Sequence, residues 1–203
     1  MREGAFGYAA GRQPVADLGG QLLQGEQFGH GRGPQVAQWV EKAARTHGEA
    51  DFELVDLADY DLPLFDEPRS PRMGAYAHAH TRAWSAKIAE LDGFVFVTPE
   101  YNWSIPAALK NAIDFVYNEW NDKAAAFVGY GAGANGVRAV EHLRTIAAAV
   151  QLSPVYTQVN LSLLTDFEQY ETFTPAGRHD AALQRMLSEL ITRTHTLAPL
   201  RRT

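Results

Sequence analysis

The run Thr98-Pro99-Glu100-Tyr101-Asn102-Trp103-Ser104-Ile105-Pro106 gathers turn and cap residues directly after the apolar stretch Phe94-Val95-Phe96-Val97. A buried strand that turns into a helix here would set backbone amides at the strand's carboxyl end, where open parallel sheets bind ligands. Such amides suit a planar ligand with polar edges, although a purely structural strand-to-helix turn has the same pattern. A second stretch, Gly131-Ala132-Gly133-Ala134-Asn135-Gly136, spells G-x-G-x-x-G between an apolar run and a helical stripe. That spacing lets a dinucleotide pyrophosphate approach a helix amino end. Against that use, the string follows a late strand, and no acidic residue closes the next one, through Val159, Asn160 and Leu161. His78 and His80 lack a further close ligand set, so no metal site is assigned. The chain has no cysteine, which excludes thiolate nucleophiles, disulfides and thiol metal sites. Any redox chemistry must then be carried by a bound cofactor.

The elements that would hold these loops alternate regularly. Val36, Val40, Ala43 and Ala44 form a helical stripe ending near Gly48, and Phe52 to Leu57 reads as a strand. After a loop from Ala58 to Gly74, Trp84, Ile88 and Leu91 mark a helix that feeds the strand Phe94 to Thr98. Ser104 is placed to cap a helix beginning near Pro106, with Leu109, Ala112, Ile113 and Val116 on its inner face. Ala124 to Tyr130 is the next buried strand, and Val140, Leu143, Ala147 and Val150 line the helix after it. Val155 to Leu161 is a last strand, and an extended link leads to a closing helix with Leu183, Leu187, Leu190 and Ile191 inward. Alternation of this kind implies an α/β fold with one doubly wound parallel sheet.

The 203 residues suffice for one compact domain, and the formal net charge of −6, with scattered arginines and lysines, argues against nucleic acid. No apolar run reaches the roughly 20 residues of a membrane span, and Met1-Arg2-Glu3-Gly4 does not open a signal peptide, so a cytoplasmic protein is expected.

From about Gly33 to Leu197 the chain resembles the NADPH-dependent FMN reductase family, a flavodoxin-like group of flavin, quinone and azo-dye reductases. The resemblance rests on Pro99-Glu100-Tyr101-Asn102, Ser104-Ile105-Pro106 and Leu109-Lys110-Asn111-Ala112-Ile113-Asp114. It also rests on Tyr130-Gly131 with Gly136-Val137-Arg138-Ala139-Val140-Glu141, and on Leu62-Pro63-Leu64-Phe65-Asp66-Glu67. It implies a five-stranded flavodoxin-like sheet of order 2-1-3-4-5, FMN as cofactor, and NADPH or NADH as co-substrate. Pro99, Glu100, Tyr101, Asn102 and Ser104 would then surround the flavin ring, with Tyr130, Gly131, Ala132 and Gly133 on its other edge. Hydride would pass through flavin N5 to a small-molecule acceptor such as a quinone, an azo compound or free flavin, with no catalytic side chain assigned. A homodimer is implied, using the apolar surface of Tyr60 to Phe65, Tyr117 to Trp120 and Trp103.

The segment 1–33 is read as an atypical glycine-rich region preceding a reductase domain over 34–203. Its strand candidates, Pro14 to Leu18 and Gln21 to Gln24, are weak, and no serine or threonine precedes Thr46. Relatives wrap the FMN phosphate in a Ser/Thr- and Arg-containing loop; here Arg32, His30 and the amides of Gly33, Gln35 and Val36 are the available ligands. The segment is either a divergent strand and loop or a foreign start joined to an ordinary reductase. In the alternative reading, the chain is a non-catalytic flavodoxin-like binder that has lost FMN through this loop.

Overall fold

The computed structural model describes residues 6–11, 19–24 and 31–202, with side chains described over 31–201. Its strands are β1 (Phe6–Gly11), β2 (Gly19–Gln24), β3 (Asp51–Asp56), β4 (Leu91–Pro99), β5 (Ala124–Gly131), β6 (Ser153–Ser162), β7 (Phe167–Glu168) and β8 (Thr172–Phe173). The helices are α1 (Arg32–His47), α2 (Ala79–Ala89), α3 (Ala107–Asp114), α4 (Val137–Ala149) and α5 (Arg178–Leu197). The main sheet has the order β1-β3-β2-β4-β5-β6, and β7 and β8 form a separate two-stranded hairpin. β2 runs parallel to β3 and β4, with Leu22 opposite Val95. β4 to β6 continue the parallel array.

Two features depart from the expected five strands. β1 adds an antiparallel strand against β3, with further pairings to β2 and β4. The extended link after β6 contains the β7–β8 hairpin. The candidate strand Gln21 to Gln24 falls within β2, whereas Pro14 to Leu18 lies outside the described residues. Leu91 opens β4 instead of closing α2, and α3 stops at Asp114, leaving Val116 buried beyond the helix.

Alternation along the central strands divides the core into two layers. Phe94, Phe96 and Phe127 face α2, α3 and α4, where Trp84, Ile88, Leu109, Ile113 and Leu143 meet them. Trp120 packs edge-on against Phe94 at 4.9 Å in the same layer. Val95, Val97, Ala126 and Val128 face Val36 and Val40 of α1 and Leu183, Leu187 and Leu190 of α5. Helices on both faces bury β4 and β5 along their whole length, and their parallel pairing brings both carboxyl ends to one rim.

Candidate functional site

β4 ends at Pro99, and the pairing with β5 persists one residue further, the Glu100 amide donating to the Tyr130 carbonyl at 2.9 Å. The chain then closes a tight turn, with the Tyr101 and Ser104 backbones exchanging two hydrogen bonds of 2.9 Å. Asn102 and Trp103 at its centre have φ of 49° and 70°. Two left-handed residues define the turn type in which Asn-Gly is preferred. Trp103 in the glycine position is strained by about 1 kcal/mol. The turn leaves the Asn102 and Trp103 amides without an acceptor among the described residues.

Ser104 does not cap α3. Pro106 is the residue before the helix, without a side-chain cap bond, and Ser104 lies too far upstream to reach the first-turn amides. Its hydroxyl instead meets His142 Nδ1 of α4 at 3.0 Å. Further along α3, Asn111 donates to the Pro63 carbonyl at 2.7 Å and accepts from the Phe65 amide at 3.0 Å. This clamp joins two motifs far apart in sequence and leaves Leu64 85% exposed.

Glu100 ties the turn to the neighbouring loop. Its side chain is only 5% exposed and forms an ion pair with Arg138. Arg138 Nε donates to Oε1 at 2.6 Å and the Arg138 amide donates to Oε2 at 3.1 Å. The carboxylate thus caps α4, whose own cap residue, Gly136, has no side chain to offer. Gly136 has φ 78°, and a Cβ there would lie 2.3 Å from the Tyr130 nitrogen. A Cβ on Gly129 would meet the Gly136 oxygen at 2.7 Å, and one on Gly131 would meet the Glu100 Cβ at 3.2 Å. The glycines therefore let α4 start against the end of β5. Between them Ala132, Gly133 and Asn135 are exposed, and the Ala132 and Gly133 amides have no acceptor among the described residues. The Tyr130 ring is buried near Phe167 in the α1–α5 layer, so only its backbone borders the rim.

The residues expected at the phosphate lie at the start of α1. Gly31 precedes the helix without a side-chain cap, and Pro34 removes one amide from the first turn. The Gln35 and Val36 amides fall within the helix's own hydrogen-bond ladder, and the Val36 side chain is fully buried. Arg32 donates through Nε to the Tyr170 carbonyl. Gln35 donates to the Glu171 carbonyl at 2.9 Å and accepts from the Phe173 amide at 2.8 Å. His30 lies outside the described residues.

The β7–β8 hairpin that meets Arg32 and Gln35 was not foreseen from sequence. Its turn carries Gln169 and Tyr170 at φ 51° and 63°, where the composition offers neither glycine nor asparagine as a signal. Asp166 anchors it. The carboxylate, 1% exposed, accepts from the Ser162 amide at 2.8 Å and from His179 Nε2 at 2.9 Å, with Arg178 at 3.2 Å. Burial opposes its charge, but the Ser162 and Ala176 amides and His179 outweigh this and hold its pKa below the ordinary aspartate value.

Beyond the rim, the His78 and His80 rings stack at 5.3 Å, and His80 meets Asp66 at 3.0 Å. Groups of three or more His, Asp or Glu able to hold a metal are absent among the described residues. Trp120, expected on an apolar surface, is completely buried.

The open, doubly wound α/β sheet makes this a flavodoxin-like protein. The sequence profile described as NADPH-dependent FMN reductase matches residues 23–166. The chain belongs to that family, as an oxidoreductase that uses FMN with NAD(P)H. It is 43% identical over 135 residues to a protein of Schizosaccharomyces pombe named NAD(P)H-dependent FMN reductase, covering 66% of this chain and 67% of the relative. An NAD(P)H:quinone oxidoreductase of Solanum tuberosum is 49% identical over 105 residues, covering 50% of this chain and 52% of the relative. Among solved structures, the flavoenzyme FerB, an NAD(P)H:(acceptor) oxidoreductase from Paracoccus denitrificans, shares the fold with a TM-score of 0.68 at 20% identity. That superposition covers 86% of this chain and 95% of FerB.

Proposed function

We propose that the protein binds FMN across the ends of β2, β4 and β5 and uses it to reduce a quinone, an azo compound, free flavin or a similar small acceptor at the expense of NAD(P)H. The observation that carries this reading is the Glu100 bracket. It fixes the Tyr101–Ser104 turn against the Gly131–Gly136 loop while leaving the Asn102, Trp103, Ala132 and Gly133 amides open on one rim. Those donors fit the polar edge of a flavin ring, and the thin glycine backbone gives that ring close approach. At the other end, the first turn of α1 and Arg32 offer amides, a helix dipole and a guanidinium to a phosphate.

Once bound, FMN supplies hydride acceptance and donation at N5. The chain's own residues then orient the ring and complement the charge on its reduced form through fixed amide dipoles. In this reading Pro99, Tyr101 and Ser104 hold the turn's shape, and Glu100 acts through α4 rather than on the ring. Residues 34–203 form the reductase domain and 1–33 supply a first strand and part of the phosphate cradle. The protein is a cytoplasmic homodimer, Leu64 and Phe65 of the Asn111-clamped loop giving it an apolar contact. Among the described residues no helix is long and apolar enough to cross a membrane.

The test is a titration of the full chain with FMN, followed by flavin fluorescence, and then NAD(P)H oxidation with 1,4-naphthoquinone as acceptor. Quenching to a stoichiometric end point with quinone-dependent turnover is expected. Colourless protein that quenches no FMN and oxidises no NAD(P)H overturns the proposal in favour of the non-catalytic alternative.

A further inference from the structure

Trp103 is left unexplained by a site that needs only the backbone of its turn. Its indole is 66% exposed and occupies a left-handed position, φ 70°, that glycine would fill without strain. A bulky aromatic held so against its backbone preference points to a use for the ring itself. Among the described residues its ring contact is the Arg138 guanidinium, 5.0 Å from the ring centroid.

Arg138 is itself fixed. Nε and Nη2 are engaged by the buried Glu100 carboxylate, and Nη1 makes no hydrogen bond among the described residues. A Cβ on Gly133 would lie 3.1 Å from Nη2, so the guanidinium also abuts the loop assigned to the flavin ring. Trp103, Arg138 and Gly133 thus form one stack: the indole, the guanidinium over one of its faces, and the ring-side loop against that guanidinium.

We propose that the Trp103 indole, braced by Arg138, is a specificity-determining plate for a planar acceptor that carries oxygen at its ring edge, a quinone; this rests on the reading that the adjoining loops hold the flavin ring. The indole stacks on the acceptor by dispersion and quadrupole contact through the face opposite Arg138, whose guanidinium covers the other face and holds the ring in place. The reaction served is NAD(P)H + H⁺ + quinone giving NAD(P)⁺ and hydroquinone. Hydride reaches the quinone from the reduced cofactor, and the proton comes from solvent.

The test compares W103G and W103F with the wild-type protein, each loaded with FMN. The KM for 1,4-naphthoquinone should rise about tenfold in W103G and largely recover in W103F. FMN affinity is titrated separately for each variant, and the rise in KM should be larger for naphthoquinone than for ferricyanide, which has no ring to stack. Calorimetric binding of 2-naphthol, which accepts no hydride, should weaken by the same factor. An unchanged naphthoquinone KM in W103G overturns the proposal. So does a W103G protein whose mass in solution halves and whose ferricyanide turnover falls with it, because Trp103 is then an intersubunit contact. Wild-type protein that takes up no FMN overturns this proposal together with the reading beneath it.

Discussion

Gly136 shows how much of the site is set by single residues whose importance is conformational. Its φ of 78° and the 2.3 Å approach to the Tyr130 nitrogen leave no room for a Cβ. Gly136→Ala is expected to destabilise the protein by about 3 kcal/mol, lowering Tm by roughly 6–12 °C in a thermal melt. Glu100→Ala would strip α4 of its cap and leave Arg138 without its carboxylate. A loss of about 2–4 kcal/mol in urea unfolding is expected, together with weaker FMN binding as the two loops part. The sequence singled out both loops, because turn residues and glycines mark where backbone replaces side chain. It could not divide the labour within them. Glu100 and Tyr130 read as ring-side residues and Val36 as an amide donor, yet the Glu100 side chain serves α4, the Tyr130 ring serves the core and the Val36 amide belongs to the α1 ladder. That division depends on which way a side chain turns once neighbouring strands are in place, which no local pattern encodes.

Among the elements, the β7–β8 hairpin has the largest influence for its size. It lies against the start of α1 through Arg32 and Gln35, and Asp166 fixes its base through the Ser162 amide, Arg178 and His179. Asp166→Ala would leave buried amides unpaired, with an expected loss of about 3 kcal/mol and looser FMN binding by fluorescence titration. Asp166, Glu67 and Glu189 all have lowered pKa values: burial works against each charge, and hydrogen bonds to each carboxylate outweigh it. The folded chain therefore releases these protons more readily than the unfolded one. Their stabilisation is complete above the unfolded carboxyl pKa of about 4 and is lost as pH falls through the lower folded values. Urea midpoints should be flat from about pH 7 to 5 and drop below about pH 4, and Asp166→Asn should lower the plateau and flatten the drop. The long helices and buried strands were legible because their periodicity extends over many residues. Strands of two residues have no periodicity to detect, and this hairpin's turn uses Gln169 and Tyr170 where glycine or asparagine would have marked it.

For the whole molecule, two apolar layers on one sheet fix the site by bringing the ends of β4 and β5 to the same rim. This was readable from Phe94-Val95-Phe96-Val97 and its helical neighbours. Less legible was the region before Arg32, where glycine and glutamine leave β1 and β2 without a β-branched signature. If the rim and the α1 end grip one ligand together, FMN at a hundred times its Kd should stabilise the fold by about 2.7 kcal/mol, raising Tm by roughly 5–11 °C. No upward shift would separate the two ends into independent features. At the opposite margin, β6 carries extra residues between Pro154 and Gln158 relative to β5, which lifts Tyr156 to 92% exposure. Arg144 donates to the Val155 and Tyr156 carbonyls there at 2.8 and 3.2 Å, and Glu189 accepts from the Thr157 amide at 2.8 Å. Helix side chains have thus taken the groups that an incoming strand from another molecule would need. This margin resists edge-to-edge polymerisation into extended β-sheet, and crowded copies of the protein would have to associate through their helical faces and loops instead.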